Sequence, residues 1–153
     1  MKNETIIDFY DVLRSEAASN PLIDAKEGEH HFFRGEANEF YNGLRNVCDY
    51  PCVVGEGFRN TYSKQGNGIW KVRETSFAVV DGYPDTNDWD QIDTVFARCE
   101  TIGDSILRKL MDEYSAQGCT LLAEDVEAEQ VENMQERWAG VRYTVLIKSW
   151  WRE

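Results

Sequence analysis

Apolar residues recur along this chain with two periods, and the periods divide it into elements. Between residues 88 and 117, Ile92, Val95, Phe96, Cys99, Ile102, Gly103, Ile106, Leu107, Leu110, Met111 and Tyr114 follow one another at helical spacing. One continuous apolar stripe of this kind predicts a long amphipathic helix. Asp85, Asp88, Asp90 and Asp93 crowd its start, where the helix dipole favours negative charge. Gly118 supplies a C-terminal cap. A shorter stripe, Ile6, Phe9, Tyr10, Leu13 and Ala17, predicts a helix over residues 4–18, ended by Asn20-Pro21.

Elsewhere the period is two. Val141, Tyr143, Val145 and Ile147 alternate with Arg142, Thr144, Leu146 and Lys148, which predicts a strand over Val141–Trp150. Ile69–Val80 reads as another long strand. Trp70, Val72, Glu74 and Ser76 alternate there with Lys71, Arg73, Thr75 and Phe77, so neither face is purely apolar. Such a strand fits helices on one side and a partner on the other. Residues 29–34, the segment from Cys52 to about Phe58, and residues 120–133 read as further strands. Residues 36–47 stay ambiguous: Phe40, Leu44 and Val47 allow a helical turn or two, while Asn42-Gly43 signals a turn. Tyr62–Gly68 carries two Gly and an Asn and reads as a loop, residues 81–88 as a connection, and Gln135–Gly140 as a turn.

These elements predict an α+β domain over residues 1–153. A single mixed or antiparallel sheet packs against one long helix and an N-terminal helix, and the last two strands form an antiparallel pair. A chain of 153 residues with 42% hydrophobic content buries a real core as one domain.

Charge narrows the partners. With 28 acids against 16 bases the net charge is −12, which opposes binding to DNA phosphates or an anionic membrane. No apolar run approaches the ~20 residues of a membrane span, and the N-terminus lacks the apolar core of a signal peptide. The expected compartment is therefore cytosolic, where Cys48, Cys52, Cys99 and Cys119 stay reduced.

Candidate chemistry is sparse. Cys48 and Cys52 have C-x3-C spacing, but no second ligand pair follows for zinc. Gly55-Glu-Gly57-Phe-Arg-Asn60 lacks the third Gly of a dinucleotide loop and the helix that must follow it; no P-loop occurs. His30 and His31, neighbours on a strand, point to opposite faces and do not easily share a metal; one could act as a general base, but no Ser or Cys nucleophile is tied to it by a recognisable signature, and the expectation is one exposed and one packed. Asp85–Asp90 fails the calcium-loop pattern at Trp89 and Asp90, and capping explains its acids. No catalytic, cofactor-binding or metal residues are expected.

Two features point outward instead. Residues 120–136 hold Glu124, Asp125, Glu127, Glu129, Glu132 and Glu136 and no base. They form either a solvated strand face or a wall past which something negative slides. Trp138, Trp150 and Trp151 cluster near the C-terminal end, covering their own sheet or meeting another molecule.

Taken as a whole, an opening helix, a sheet with a long loop near residues 59–69, a helix over 88–117 and the closing segment Trp138-Ala-Gly-Val-Arg-Tyr-Thr-Val-Leu-Ile-Lys resemble the tail-terminator type of neck or tail-completion protein in tailed phages and prophages. The resemblance implies a non-enzymatic structural protein forming a ring, commonly a hexamer, at the head–tail junction. It implies the host cytoplasm and then the virion as location, self and other tail or neck proteins as partners, and DNA passing through unbound. On that reading Tyr62, Lys64, Trp70, Arg73, Trp138, Arg142, Trp150 and Trp151 are interface candidates. Glu124, Asp125, Glu127, Glu129 and Glu132 would face the channel and repel DNA weakly. Two rivals stand beside it. One is an acidic partner-binding protein, such as an immunity protein or a DNA mimic, which predicts a monomer or dimer. The other is a small enzyme or ligand-binding domain with a pocket beneath Tyr62–Gly68.

Overall fold

The computed structural model describes residues 6–35, 48–84, 87–121 and 123–152. In chain order the elements are α1 (Ile6–Ser19), β1 (Phe32–Arg34), β2 (Cys52–Gln65), β3 (Gly68–Gly82), α2 (Trp89–Ala116), a 3-10 turn (Ala123–Asp125), β4 (Glu127–Asn133) and β5 (Trp138–Arg152). Among the described residues the five strands make one sheet in the order β1-β2-β3-β5-β4. β1 runs parallel to β2, and every other neighbouring pair is antiparallel. The α+β class with one mixed sheet and two helices is as the sequence predicts. The ambiguous segment 36–47 lies outside the described residues.

α2 follows its stripe. Ile92, Val95, Phe96, Cys99, Ile102, Gly103, Ile106, Leu110 and Tyr114 are its buried residues. Asp88 caps its start by accepting from Asp90 N at 3.0 Å. At its end Gly118 takes φ +79°, while Gly118 N donates to Ser115 O (3.1 Å) and Cys119 N to Tyr114 O (2.9 Å). Those two bonds are the paired closure that a left-handed glycine permits. Phe9, Tyr10, Leu13 and Ala17 of α1 are buried beside it.

Both helices lie on one face of the sheet. There Val53, Phe77, Val79, Val141, Tyr143, Val145 and Ile147 join the main core, so the alternation read in β5 holds. The opposite face carries a second, smaller core in which Cys48, Cys52, Val54, Ala78, Val80 and Trp138 pack together.

Five expectations need correction. The turn read over Gln135–Gly140 ends at Arg137, because β5 begins at Trp138 and Trp138–Gly140 pair with β3. The segment Tyr62–Gly68 is not a loop: β2 runs to Gln65, β3 starts at Gly68, and Gln65 pairs with Gly68. Only Gly66 needs a positive φ (+62°), so a two-residue turn replaces the loop expected over 59–69. The segment 120–133 is not one strand. Thr120 makes an isolated bridge to Lys148, the 3-10 turn intervenes, and β4 begins at Glu127. The region 81–88 gives its first two residues to β3. Finally, Cys48 and Cys52, expected reduced, are joined in a disulfide. The chain between them folds back on residues 30–31: Asp49 N donates to His30 O and His30 N to Asp49 Oδ2, each at 2.7 Å. That closure brings the two sulfurs together.

Candidate interaction surface

The strands outrun the helices. α1 sits against β1 and the first part of β2, where Tyr10 donates to the Glu56 carbonyl and a Cβ on Gly55 would lie 2.9 Å from the Tyr10 ring. α2 lies along β5, with Cys99 Sγ 3.6 Å from Ala139 O and Tyr143 Oη 2.8 Å from Asp104 Oδ1. Beyond the bulge between Gly55 and Phe58, β2 and β3 continue as a hairpin to the turn at Gly66-Asn67. The end of β5 pairs with β3 as far as Arg152. The result is a three-stranded arm.

Several interface candidates fall on this arm, and their roles separate. Trp70 and Trp150 stack at 4.0 Å between ring centroids and 23° between planes. Gly68 makes room for that stack, since a Cβ there would lie 2.1 Å from Trp150 Cζ3. Tyr62 and Trp151 meet edge to face at 5.2 Å yet stay 52% and 48% exposed. Phe58 is 41% exposed, with the Arg73 guanidinium 4.3 Å over its ring. Lys64 is exposed.

Three candidates turn inward. Trp138 is fully buried in the smaller core, where it covers its own sheet. Arg73 is buried and donates to Asn60 Oδ1 at 2.9 Å. Arg142 joins the buried Glu56 and, at 3.0 Å, Glu129. It lies in an open polar groove of about 990 Å³ whose walls include Arg34, Arg59, Glu74, Ser76 and Thr144.

The acids do not form a single wall. Cross-strand partners share a face, so Glu127 and Glu129, opposite Thr144 and Arg142, lie on the groove side, while Glu132, opposite Ala139, lies on the helix side. Asp125 is half-buried, 3.5 Å from Lys148 Nζ. Glu124, Glu127, Glu129 and Glu132 are exposed.

The remaining chemistry is packed away. His31 is buried, with Nδ1 2.8 Å from Pro51 O and Nε2 3.1 Å from Glu29 Oε1; His30 is exposed. Both His31 nitrogens thus hold the fold around the disulfide. Burial pushes the Cys99 thiol up to about 12, so it stays protonated. The Gly55–Asn60 segment is strand and bulge with no helix after it. Among the described residues, no three His, Cys, Asp or Glu side chains converge as metal ligands, and no helix is long and apolar enough to cross a membrane.

Comparison of the chain with models of known protein families and with curated proteins gives no match.

One signal in the sequence marks the arm. Residues 58–75 carry Arg59, Lys64, Lys71 and Arg73 against the single acid Glu74, in a chain whose net charge is −12. A local reversal of sign on an otherwise acidic chain is legible from residues alone.

Proposed function

We propose that this chain is a non-enzymatic structural protein of a phage or prophage tail or neck, self-assembling into a ring at the head–tail junction. The observation that carries this reading is the arm. It extends past the helices, leaves Phe58, Tyr62 and Trp151 exposed, and is basic where the chain is acidic. Exposed aromatics beside cations form the kind of surface that protein interfaces bury. Glu124, Glu127, Glu129 and Glu132 give the remaining surface the sign that DNA passing through a channel would not stick to.

Negative-stain microscopy of the purified chain at tens of micromolar tests it. Closed rings with a central opening are the expected particles; isolated single-chain particles at every concentration contradict it.

A second reading is that the chain captures a basic protein by charge complementarity. The absence of any base between residues 120 and 136 favours it. It expects a monomer or dimer that retains a basic partner at low salt and releases it at high salt.

A further inference from the structure

We infer that the outer edge of the arm pairs with β4 of a second copy of this chain, continuing the sheet from one copy to the next. This rests on the assembly reading above and adds to it which edges meet.

The sheet has two unlike edges. β1 pairs only with Val53–Gly55. Among the described residues, no strand therefore lies on the outer side of β2 from Phe58 to Gln65. On the other side of the sheet, among the described residues, β4 is the last strand and β5 is its one neighbour. An open strand edge presents backbone donors and acceptors that a strand of another chain can take up.

The two edges complement each other in charge and length. The eight residues Phe58–Gln65 contribute Arg59 and Lys64 and no acid; the seven residues of β4 contribute Glu127, Glu129 and Glu132 and no base. Each edge repels its own kind, which disfavours arm-to-arm and β4-to-β4 pairing, while each attracts the other.

Strand direction agrees. β2, β3, β5 and β4 alternate in direction at each step, so β2 and β4 run opposite ways. A second copy that keeps the same sheet face on the same side therefore brings its β4 antiparallel to this β2. The contact joins two different surfaces, so it repeats from copy to copy and yields a ring where the rotation closes.

The edges are also offset along the strands. β4 pairs with Trp138–Thr144 of β5, whereas the arm lies beside the later part of β5. The offset is about seven residues, roughly 23 Å at ~3.3 Å per residue. Each arm thus reaches past its own body to the body of its neighbour. Strands in the resulting ring tilt relative to its axis, as stagger requires.

Charge reversal of the full chain tests this, with the mass measured by light scattering across a dilution series. The arm variant carries Arg59→Glu and Lys64→Glu; the edge variant carries Glu127→Lys and Glu132→Lys. Glu129 is left intact because it binds Arg142, which also holds the buried Glu56; Arg59 pairs with Glu74 at 2.8 Å, a solvent-exposed contact of small worth to the fold. All four sites are exposed, and unchanged thermal unfolding of the dilute protein verifies the fold. Each variant alone should need at least a tenfold higher concentration to assemble. An equimolar mixture should recover assembly, because each arm then finds an edge of opposite sign. The variant with all four changes should assemble alone, which an arm-to-arm contact does not allow.

Arm and edge variants that assemble as the wild type does would overturn this inference and leave the assembly reading standing. A wild-type chain that stays monomeric at every concentration overturns both. Assembly of the wild type only on single-stranded nucleic acid, lost in the arm variant but not in the edge variant, overturns the edge pairing and assigns the arm to that ligand.

Discussion

Gly103 of α2 faces the ring of Tyr143 on β5 so closely that a Cβ on it would lie 2.2 Å from Tyr143 Cε1 and 2.5 Å from the hydroxyl oxygen. This contact sets how near the long helix comes to the sheet. The Tyr143 ring in turn stacks on Phe77 at 4.9 Å with planes 5° apart. Its hydroxyl donates to Asp104 Oδ1 at 2.8 Å, with Glu100 O at 3.0 Å. Ring, hydroxyl and glycine thus fix one approach of α2 to the strands that extend into the arm.

Gly103→Ala is therefore expected to destabilise the fold. Alanine gains up to about 1 kcal/mol of helix propensity, but overpacking a core contact costs about 1–3 kcal/mol. Denaturant unfolding should show the midpoint falling. A midpoint that rises would mean that α2 moves off the sheet freely.

Arg142 and Glu56 form the ion pair beneath the groove, and Glu56 is buried. Arg142→Ala leaves that carboxylate without its cation, a loss of about 3–5 kcal/mol for a buried pair. Adding Glu56→Gln should recover a large part of it, because the remaining group is neutral. Urea unfolding of the two variants measures the recovery directly.

Asp81 gives a pH dependence. Burial pushes its carboxyl above the ordinary 3.8, with the Arg98 guanidinium and the Gly82 amide pulling the other way. A raised folded-state value means that the folded protein holds this proton more tightly than the unfolded chain does. The stabilisation from that proton is complete below 3.8 and is lost as pH rises through the folded value. Asp81→Asn should thus gain stability relative to wild type between acid and neutral pH. Denaturant midpoints at several pH values from 3 to 7 would show the difference growing upward; a constant difference would contradict the assignment.

The disulfide between Cys48 and Cys52 closes a short loop over the smaller core. Chain entropy for so short a loop gives about 2 kcal/mol. Cys52→Ala should lose about that much plus the contacts of a fully buried residue. A reducing agent should lower the stability of the wild type and leave that of the variant unchanged.

What could be read from residues follows the location of the apolar surface. The α2 stripe from Ile92 to Tyr114 and the β5 alternation from Val141 to Ile147 each bury one continuous face, so their periods survive in the sequence. The outer strand of the arm, Phe58–Gln65, has no buried residue. Tyr62, Ser63 and Lys64 therefore read as loop residues in the sequence, and their pairing with Lys71, Trp70 and Ile69 shows them to be strand. For Trp138 the sequence leaves both covering its own sheet and meeting another molecule open, and the structure shows the first. Its small core joins Cys48, Cys52 and Val54 to Ala78 and Val80, segments that lie far from Trp138 in sequence and meet it only across the sheet. The acids of 124–132 read as one charged side, but a 3-10 turn ahead of β4 and the alternation along it divide them between faces.

The most direct test of the central claim is the absolute mass of the wild-type chain in solution, by light scattering over a hundredfold range of concentration at low and high salt. A discrete multiple of 17.7 kDa that dissociates on dilution and weakens at high salt is the expected result. A mass of 17.7 kDa at every concentration and salt would contradict an arm built for self-assembly.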